Sequence, residues 1–280
     1  MNTNLVFRKV RNRVMLTLTG ICTLVVLLPL FFILYYVVGH GLHALNLNFF
    51  THLPAPPGET GGGMGNAILG TLELMGMAMI VGIPLGMAGG IYIAEFATER
   101  FTTVVRFCAD VLNGIPTIVT GMFIYALVVV PMKRFSAIAG ALALAIILIP
   151  VVVRTTEEVL RTVPKSYREA AMALGANRWR TTWDVVLKAG RAGLISGALL
   201  GVARIAGETA PLLFTAFNNA FWSRYIDQPT SSLTVQIFDY AIAPYNSWHE
   251  QAWAGALTLI AIIISMNLIA RIWVRVRERG

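Results

Sequence analysis

Six apolar runs, at about residues 14–39, 67–94, 107–131, 136–153, 193–217 and 252–273, leave this chain few ways to fold. A helix needs roughly 20 apolar residues to cross a bilayer core of about 30 Å, and each run is close to that length. Of the 280 residues, 56% are hydrophobic and only 13% are charged, which excludes an ordinary soluble globule. The expected fold is an all-α membrane protein, a bundle of six transmembrane helices. In this reading 1–66 holds the N-terminus, the first helix and an outer loop. The rest of the transmembrane domain is 67–273, with a polar loop at 154–192, and 274–280 is a tail.

A net charge of +8 suits nucleic acid in some proteins, but here its distribution argues against that. Basic residues gather at alternate ends of the runs, as the positive-inside rule requires. Arg8, Lys9, Arg11 and Arg13 precede the first, and Arg100 and Arg106 lie between the second and third. Eight more fill the polar loop, and Arg271, Arg275, Arg277 and Arg279 end the chain. The other side holds only Lys133, Arg134 and Arg224, so both termini and the polar loop are expected in the cytoplasm. Arg204 is left over, inside the fifth run.

The first run is longer than a signal-peptide core, and no convincing cleavage site follows it, so it reads as a retained helix. Cys22 and Cys108 fall within runs and suggest no disulfide framework. None of the lysines (Lys9, Lys133, Lys165, Lys188) follows a glycine, so the chain has no P-loop and ATP-driven work needs another subunit. The outer loop at about 40–66 is rich in proline and glycine and reads as irregular connection. The one at about 218–250 mixes aromatic and polar residues and suits an interfacial segment on the outer surface.

Gly82, Gly86 and Gly90 in the second run, and Gly193, Gly197 and Gly201 in the fifth, recur every four residues and form small-residue stripes suited to close helix packing. Pro84 and Pro116 each remove a helix hydrogen bond, as hinges or as packing kinks. Glu73 and Asp110 lie near run ends, where water reaches them, and are weaker pathway candidates. His40 and His43 have no matching carboxylate or cysteine set, so no metal or other cofactor is expected.

Two constellations stand out. In the polar loop, Ser166 lies three residues before Glu169 and suggests a capping box behind Pro164. A short helix is expected to run to about Leu174, with Gly175 ending it in a left-handed conformation and Asn177 capping a second helix that carries Trp179 and Trp183. Such a hairpin either merely caps the loop or takes hold of a soluble partner. The second constellation is Arg204 with Glu208, roughly 16 Å deep if the fifth run starts near Gly193. A cation there costs on the order of 2.5–3.5 kcal/mol in lipid, so it is expected to face the bundle interior. Four residues apart, the two are expected to pair, as a structural lock or as part of a pathway.

Glu169-Ala170-Ala171, three residues, Gly175, nine residues, then Val185 and Leu187 resembles the EAA loop of bacterial ABC importer permeases, with Lys188 where that family usually has proline. The resemblance implies that Glu169, Ala170, Ala171 and Gly175 couple to an ATPase subunit. Three further strings, Gly114-Ile115-Pro116-Thr117-Ile118-Val119-Thr120-Gly121, Arg154-Thr155-Thr156-Glu157-Glu158 and Ala203 to Leu213, resemble the PstA-type permeases of phosphate ABC importers over about residues 65–273. That family has a type I, MetI-like bundle. It implies a homologous PstC-type permease, a PstB-type ATPase dimer, an external PstS-type phosphate-binding protein and phosphate itself as partners, with the inner membrane of a prokaryote as the location. An Arg and a Glu of the family are implicated in transport, which carries over to Arg204 and Glu208, with Thr209 beside them in the candidate pathway. The alternatives are a permease for molybdate, sulfate or phosphonate, and a self-contained channel or membrane enzyme.

Overall fold

The computed structural model describes residues 3–59 and 61–279, with side chains from Phe7 to Trp273. Gly280 and the side chains of Arg275, Arg277 and Arg279, which count toward the expected inner charge, lie outside the described residues. The long helices are α1 (Thr3–Ala44), then after a short α2 (Leu47–Thr51), α3 (Gly65–Glu95). Next come α4 (Glu99–Gly114), α5 (Thr117–Met132) and α6 (Ala137–Thr162). They are followed by α7 (Lys165–Ala173), α8 (Arg178–Ala206), α9 (Ala210–Leu213), α10 (Leu233–Ile242) and α11 (Asn246–Arg279). Five are long and apolar enough to span a membrane, or six if α4 and α5 count as one broken span.

That break corrects the third apolar run, which is not one helix: α4 and α5 meet at 97°. Ile115 is extended (φ −70°, ψ 133°), the conformation a following proline favours, and Pro116 starts α5 with a fixed φ of −55°. Pro84, by contrast, sits inside an unbroken α3. Neighbouring contacts explain the difference, because a Cβ on Gly82 or Gly86 would press into Leu148 or Val152 of α6. Helix packing on both sides of Pro84 keeps the chain helical there.

The centre of the bundle is α6, whose Leu144, Leu148, Val152 and Leu160 are buried. Both glycine stripes pack on it. Gly82, Gly86 and Gly90 of α3 meet Leu148, Val152 and Thr156, while Gly193, Gly197 and Gly201 of α8 meet Val159, Thr155 and Leu148. The stripes are thus packing surfaces, where small residues let backbones approach in the absence of a hydrophobic drive between helices. Ser136 Oγ accepts from Ala139 N–H at 3.2 Å at the start of α6, and Ser136, Ala137 and Ile138 donate their backbone N–H to the carbonyls of Thr215, Gln228 and Ile226. The free amides of a helix start are paired.

Two of those acceptors, Gln228 and Ile226, belong to the second outer loop, which is not simply an interfacial segment. Thr230, Ser231, Ser232 and Thr234 are buried, and Leu233 N–H donates to Thr71 Oγ1 of α3 at 2.8 Å. The chain here folds back into the bundle and leads into α10, while Phe221, Trp222 and Tyr225 stay exposed.

Candidate functional site

The polar loop forms the expected hairpin with one correction at its start. Pro164, not Ser166, precedes the first turn of α7, and no side chain caps that end, so the Ser166–Glu169 capping box does not form. The fixed φ of Pro164 (−57°) already directs the chain into a helix. The other end matches expectation. Gly175 has φ +86°, Gly175 N–H donates to Met172 O at 2.9 Å and Ala176 N–H to Ala171 O at 3.1 Å, the paired bonds of a Schellman turn. Asn177 Oδ1 then accepts from Arg180 N–H at 2.8 Å to cap α8.

On the surface of this hairpin Glu169 and Ala170 are exposed and Ala171 is half-buried. Around them Tyr167, Met172, Trp179 and Trp183 are exposed, and Leu174 is 90% exposed. Trp179 stacks on Trp183 at 5.5 Å and leans on Phe96 at 6.0 Å. Next to a carboxylate and outside the apolar spans, such a patch has the composition of a protein-docking surface.

Beneath the hairpin, Arg168 ties α7 to two other elements. Its Nη2 reaches Glu95 Oε1 at 2.5 Å and its Nε reaches Glu95 Oε2 at 3.1 Å. The same guanidinium donates to Val163 O at 2.7 Å and Leu160 O at 2.9 Å, the last carbonyls of α6. Arg178 donates to Glu95 O and lies over the Phe96 ring at 5.4 Å. Neither Glu95 nor Arg168 stands out in the sequence, because each reads as an ordinary charge at a helix end.

The intramembrane constellation is arranged differently from expectation. The fifth run stops being a helix at Ala206, with Gly207 as its cap, so Glu208 and Thr209 lie in a break before α9. Arg204 and Glu208 make no ion pair among the described residues, and Arg204 is exposed on the surface of this chain rather than enclosed within its bundle as expected. Arg204 Nη1 donates instead to Asn113 Oδ1 at 3.2 Å and Nη2 approaches Asn113 O at 3.5 Å. Thr234 Oγ1 of α10 holds the Glu208 carbonyl at 3.0 Å. Because Gly201 and Gly82 both press on Leu148, Arg204 lies one turn beyond the middle of α3, near half the height of the bundle.

Asn113 is next to the α4–α5 break, so Arg204 sits where two interrupted helices meet. Gly121 of α5 lets Pro211 of α9 approach so closely that a Cβ would lie 2.6 Å from Pro211 Cα. Unwound backbone of this kind is tolerated at membrane depth only where protein buries it or a cavity hydrates it, and in transporters such breaks frame the substrate route. Asn113 was missed in the sequence. Its only signal was the Gly114-Ile115-Pro116 string that follows it.

Nearer the polar loop, Glu157 is 1% exposed and gathers three arginines. Arg106 Nε lies 2.8 Å away, Arg161 Nε 3.0 Å and Arg154 Nη1 3.2 Å. Arg154 also reaches Asp110 at 3.1 Å, so α4 is tied to α6 by charge. Glu73 is half-buried in α3 and joins neither cluster. His40 and His43 each bond a carbonyl one helical turn back, at 3.0 and 2.9 Å.

Comparison with known proteins agrees with this architecture. The sequence profile described as "Binding-protein-dependent transport system inner membrane component" matches residues 82–280. The phosphate transport system permease protein PstA of Yersinia pestis is 43% identical over 267 residues, spanning 95% of this chain and 90% of that protein. A probable PstA of Methanocaldococcus jannaschii is 36% identical over 262 residues, 92% of both chains. Among solved structures, a bacterial alginate ABC transporter superposes with a TM-score of 0.65 at 12% identity, covering 94% of this chain and 95% of that one. The inward-facing MetNI methionine ABC transporter gives 0.59 at 17% identity over 76% and 93%. This chain therefore belongs to the family of binding-protein-dependent transport system inner membrane components, within its PstA branch.

Proposed function

We propose that this chain is one of two permease subunits of an ATP-driven importer of inorganic phosphate in the cytoplasmic membrane of a prokaryote, with both termini inside. The observation that carries the proposal is Arg204, a guanidinium at half the height of the bundle at the junction of two broken helices, in a chain whose near-full-length relatives are named as phosphate permeases. A guanidinium presents a planar fork of donors to a tetrahedral oxyanion. Asn113 holds that fork, and Glu208 and Thr209 line the break beside it.

A homologous PstC-type permease completes the pathway against the exposed apolar faces of α4 and α5. Two copies of a PstB-type ATPase receive the hairpins of both permeases, here through Glu169, Ala170, Ala171 and Gly175, and an external PstS-type binding protein delivers the anion. ATP binding draws the ATPases together, moves the hairpin and reorients the bundle. Glu208 adds selectivity: a carboxylate beside the anion repels sulfate, whereas phosphate near neutral pH carries a proton to donate to it.

The test is uptake of radiolabelled phosphate at micromolar concentration by cells lacking and regaining the chain, with their other phosphate importers deleted. Sulfate or molybdate is present in excess. Chain-dependent uptake that ignores both competitors, is lost in Arg204→Ala and becomes sulfate-sensitive in Glu208→Gln fits the proposal. Uptake indifferent to the chain rejects phosphate as cargo. Uptake without an ATPase favours a self-contained channel.

A further inference from the structure

We infer that Glu95 and Arg168 form the mechanical link through which movement of the α7 hairpin reaches the transmembrane helices, with Arg168 as a positioning residue for coupling. The inference rests on the reading of the hairpin as the ATPase-docking element and names the residues that make its motion useful.

A docking helix transmits force only if its attachment to the bundle is stiffer than its attachment to the rest of its loop. The exposed side of α7 is joined to α8 by the Schellman turn at Gly175 and a short linker, and α8 itself opens with a π-helical turn at Thr181–Val186. The left-handed Gly175 and the widened turn interrupt regular helix between α7 and the rest of α8, so the two arms are not one continuous rod. On the inner side one guanidinium uses Nε, Nη1 and Nη2 on four acceptors, two carboxylate oxygens of Glu95 and the carbonyls of Val163 and Leu160.

Burial strengthens that attachment. The Arg168 side chain is 20% exposed and the Glu95 carboxylate 6%, so water competes little for either. The geometry is also specific. Bidentate contact with Glu95 fixes α7 to the end of α3, and the two carbonyl bonds fix it to the last turn of α6. Since α3 and α6 are the pair packed through Gly82, Gly86 and Gly90, a push on α7 moves them as one body. Arg178 ties the start of α8 to the same Glu95 backbone, so both arms of the hairpin converge on one residue. A lysine at 168 keeps the charge but lacks the fork needed to hold the carboxylate and both carbonyls.

The experiment uses the complete importer in lipid vesicles, with Arg168→Ala, Arg168→Lys and Glu95→Gln. Phosphate moved per ATP hydrolysed is measured, because a misfolded fraction lowers transport and hydrolysis together and leaves their ratio unchanged. Arg168→Ala is expected to keep its ATPase and hydrolyse ATP while the ratio falls at least tenfold, with the other two variants intermediate. A ratio within twofold of the unmodified importer in assembled Arg168→Ala overturns the inference. If that variant does not assemble, Glu95→Gln decides by the same criterion.

A second readout needs no phosphate. Thr117→Cys, in a chain with Cys22 and Cys108 replaced, reports thiol reactivity at the α4–α5 break when, after hydrolysis, vanadate takes the place of the released phosphate and traps ADP on the ATPase. Loss of the ATP-induced change on adding Arg168→Ala supports the link and an unchanged response overturns it, even if the unmodified importer moves no phosphate and the cargo assignment fails.

Discussion

Replacing Gly121 by alanine tests whether the two broken helices meet as closely as their backbones indicate. The added Cβ would stand 2.6 Å from Pro211 Cα, 3.1 Å from Pro211 O and 3.3 Å from Pro211 C. Carbon atoms are comfortable at about 3.5–4.0 Å, so α5 and α9 have to separate by roughly 1 Å. Every one of those atoms is backbone, so no side-chain rotation relieves the clash. Overpacking of this kind costs about 1–3 kcal/mol. Alanine also favours a helix over glycine by about 0.8–1.0 kcal/mol, which masks part of the cost.

Gly76→Ala in α3 isolates the two effects, since nothing lies within 4 Å of its added Cβ. It gains the helix preference without the clash, so the two variants should differ by about 1–3 kcal/mol, several degrees in thermal midpoint for a chain of this size. Midpoints of the purified variants in detergent measure the difference, and phosphate uptake by the assembled importer measures its consequence. The displacement carries Glu208 and Thr209 away from Arg204, so uptake is expected to fall several-fold in Gly121→Ala. Midpoints within 1 °C of each other, with uptake at the unmodified level, would refute the close approach.

Three further outcomes follow from the geometry. Glu157→Ala leaves Arg106, Arg154 and Arg161 around a vacated site, but all three reach water and Arg154 keeps Asp110, so the cost is about 1–3 kcal/mol and the tagged chain should accumulate less in membranes, with Glu157→Gln partly restoring it. Asn113→Ala frees the Arg204 fork; because the pair is exposed, water replaces the lost hydrogen bond and the thermal midpoint should hardly move, while the apparent KM for phosphate should rise several-fold. Gly175→Ala puts a side chain at φ +86° at a cost of about 1–2 kcal/mol, and co-purification of the ATPase should weaken while the transmembrane bundle keeps its thermal midpoint.

Much of the bundle and one of its sites were legible in the residue order. The hairpin end could be read because a left-handed glycine followed by Asn177 is a local signal, satisfied within a few residues of chain. The capping box failed for an equally local reason, since Pro164 starts the helix two residues earlier than Ser166 would. The glycine stripes announced close packing, and they pack closely. Pairing of Arg204 with Glu208 presumed a helix that continues, and Gly207 ends it.

The sequence alone determined that the chain is an apolar helical bundle with a polar hairpin and one deep cation, because hydrophobic run length, charge asymmetry and turn residues act over short stretches of chain. Tertiary structure decided which proline breaks a helix, since α3 stays helical through Pro84 under packing from α6 while α4 ends at Gly114. It also decided which charges meet. Glu95 with Arg168, Arg106 with Glu157 and Asn113 with Arg204 lie 73, 51 and 91 residues apart. No periodicity spans such separations; only the folding of α3, α4, α6, α7 and α8 against one another brings those groups within hydrogen-bonding distance.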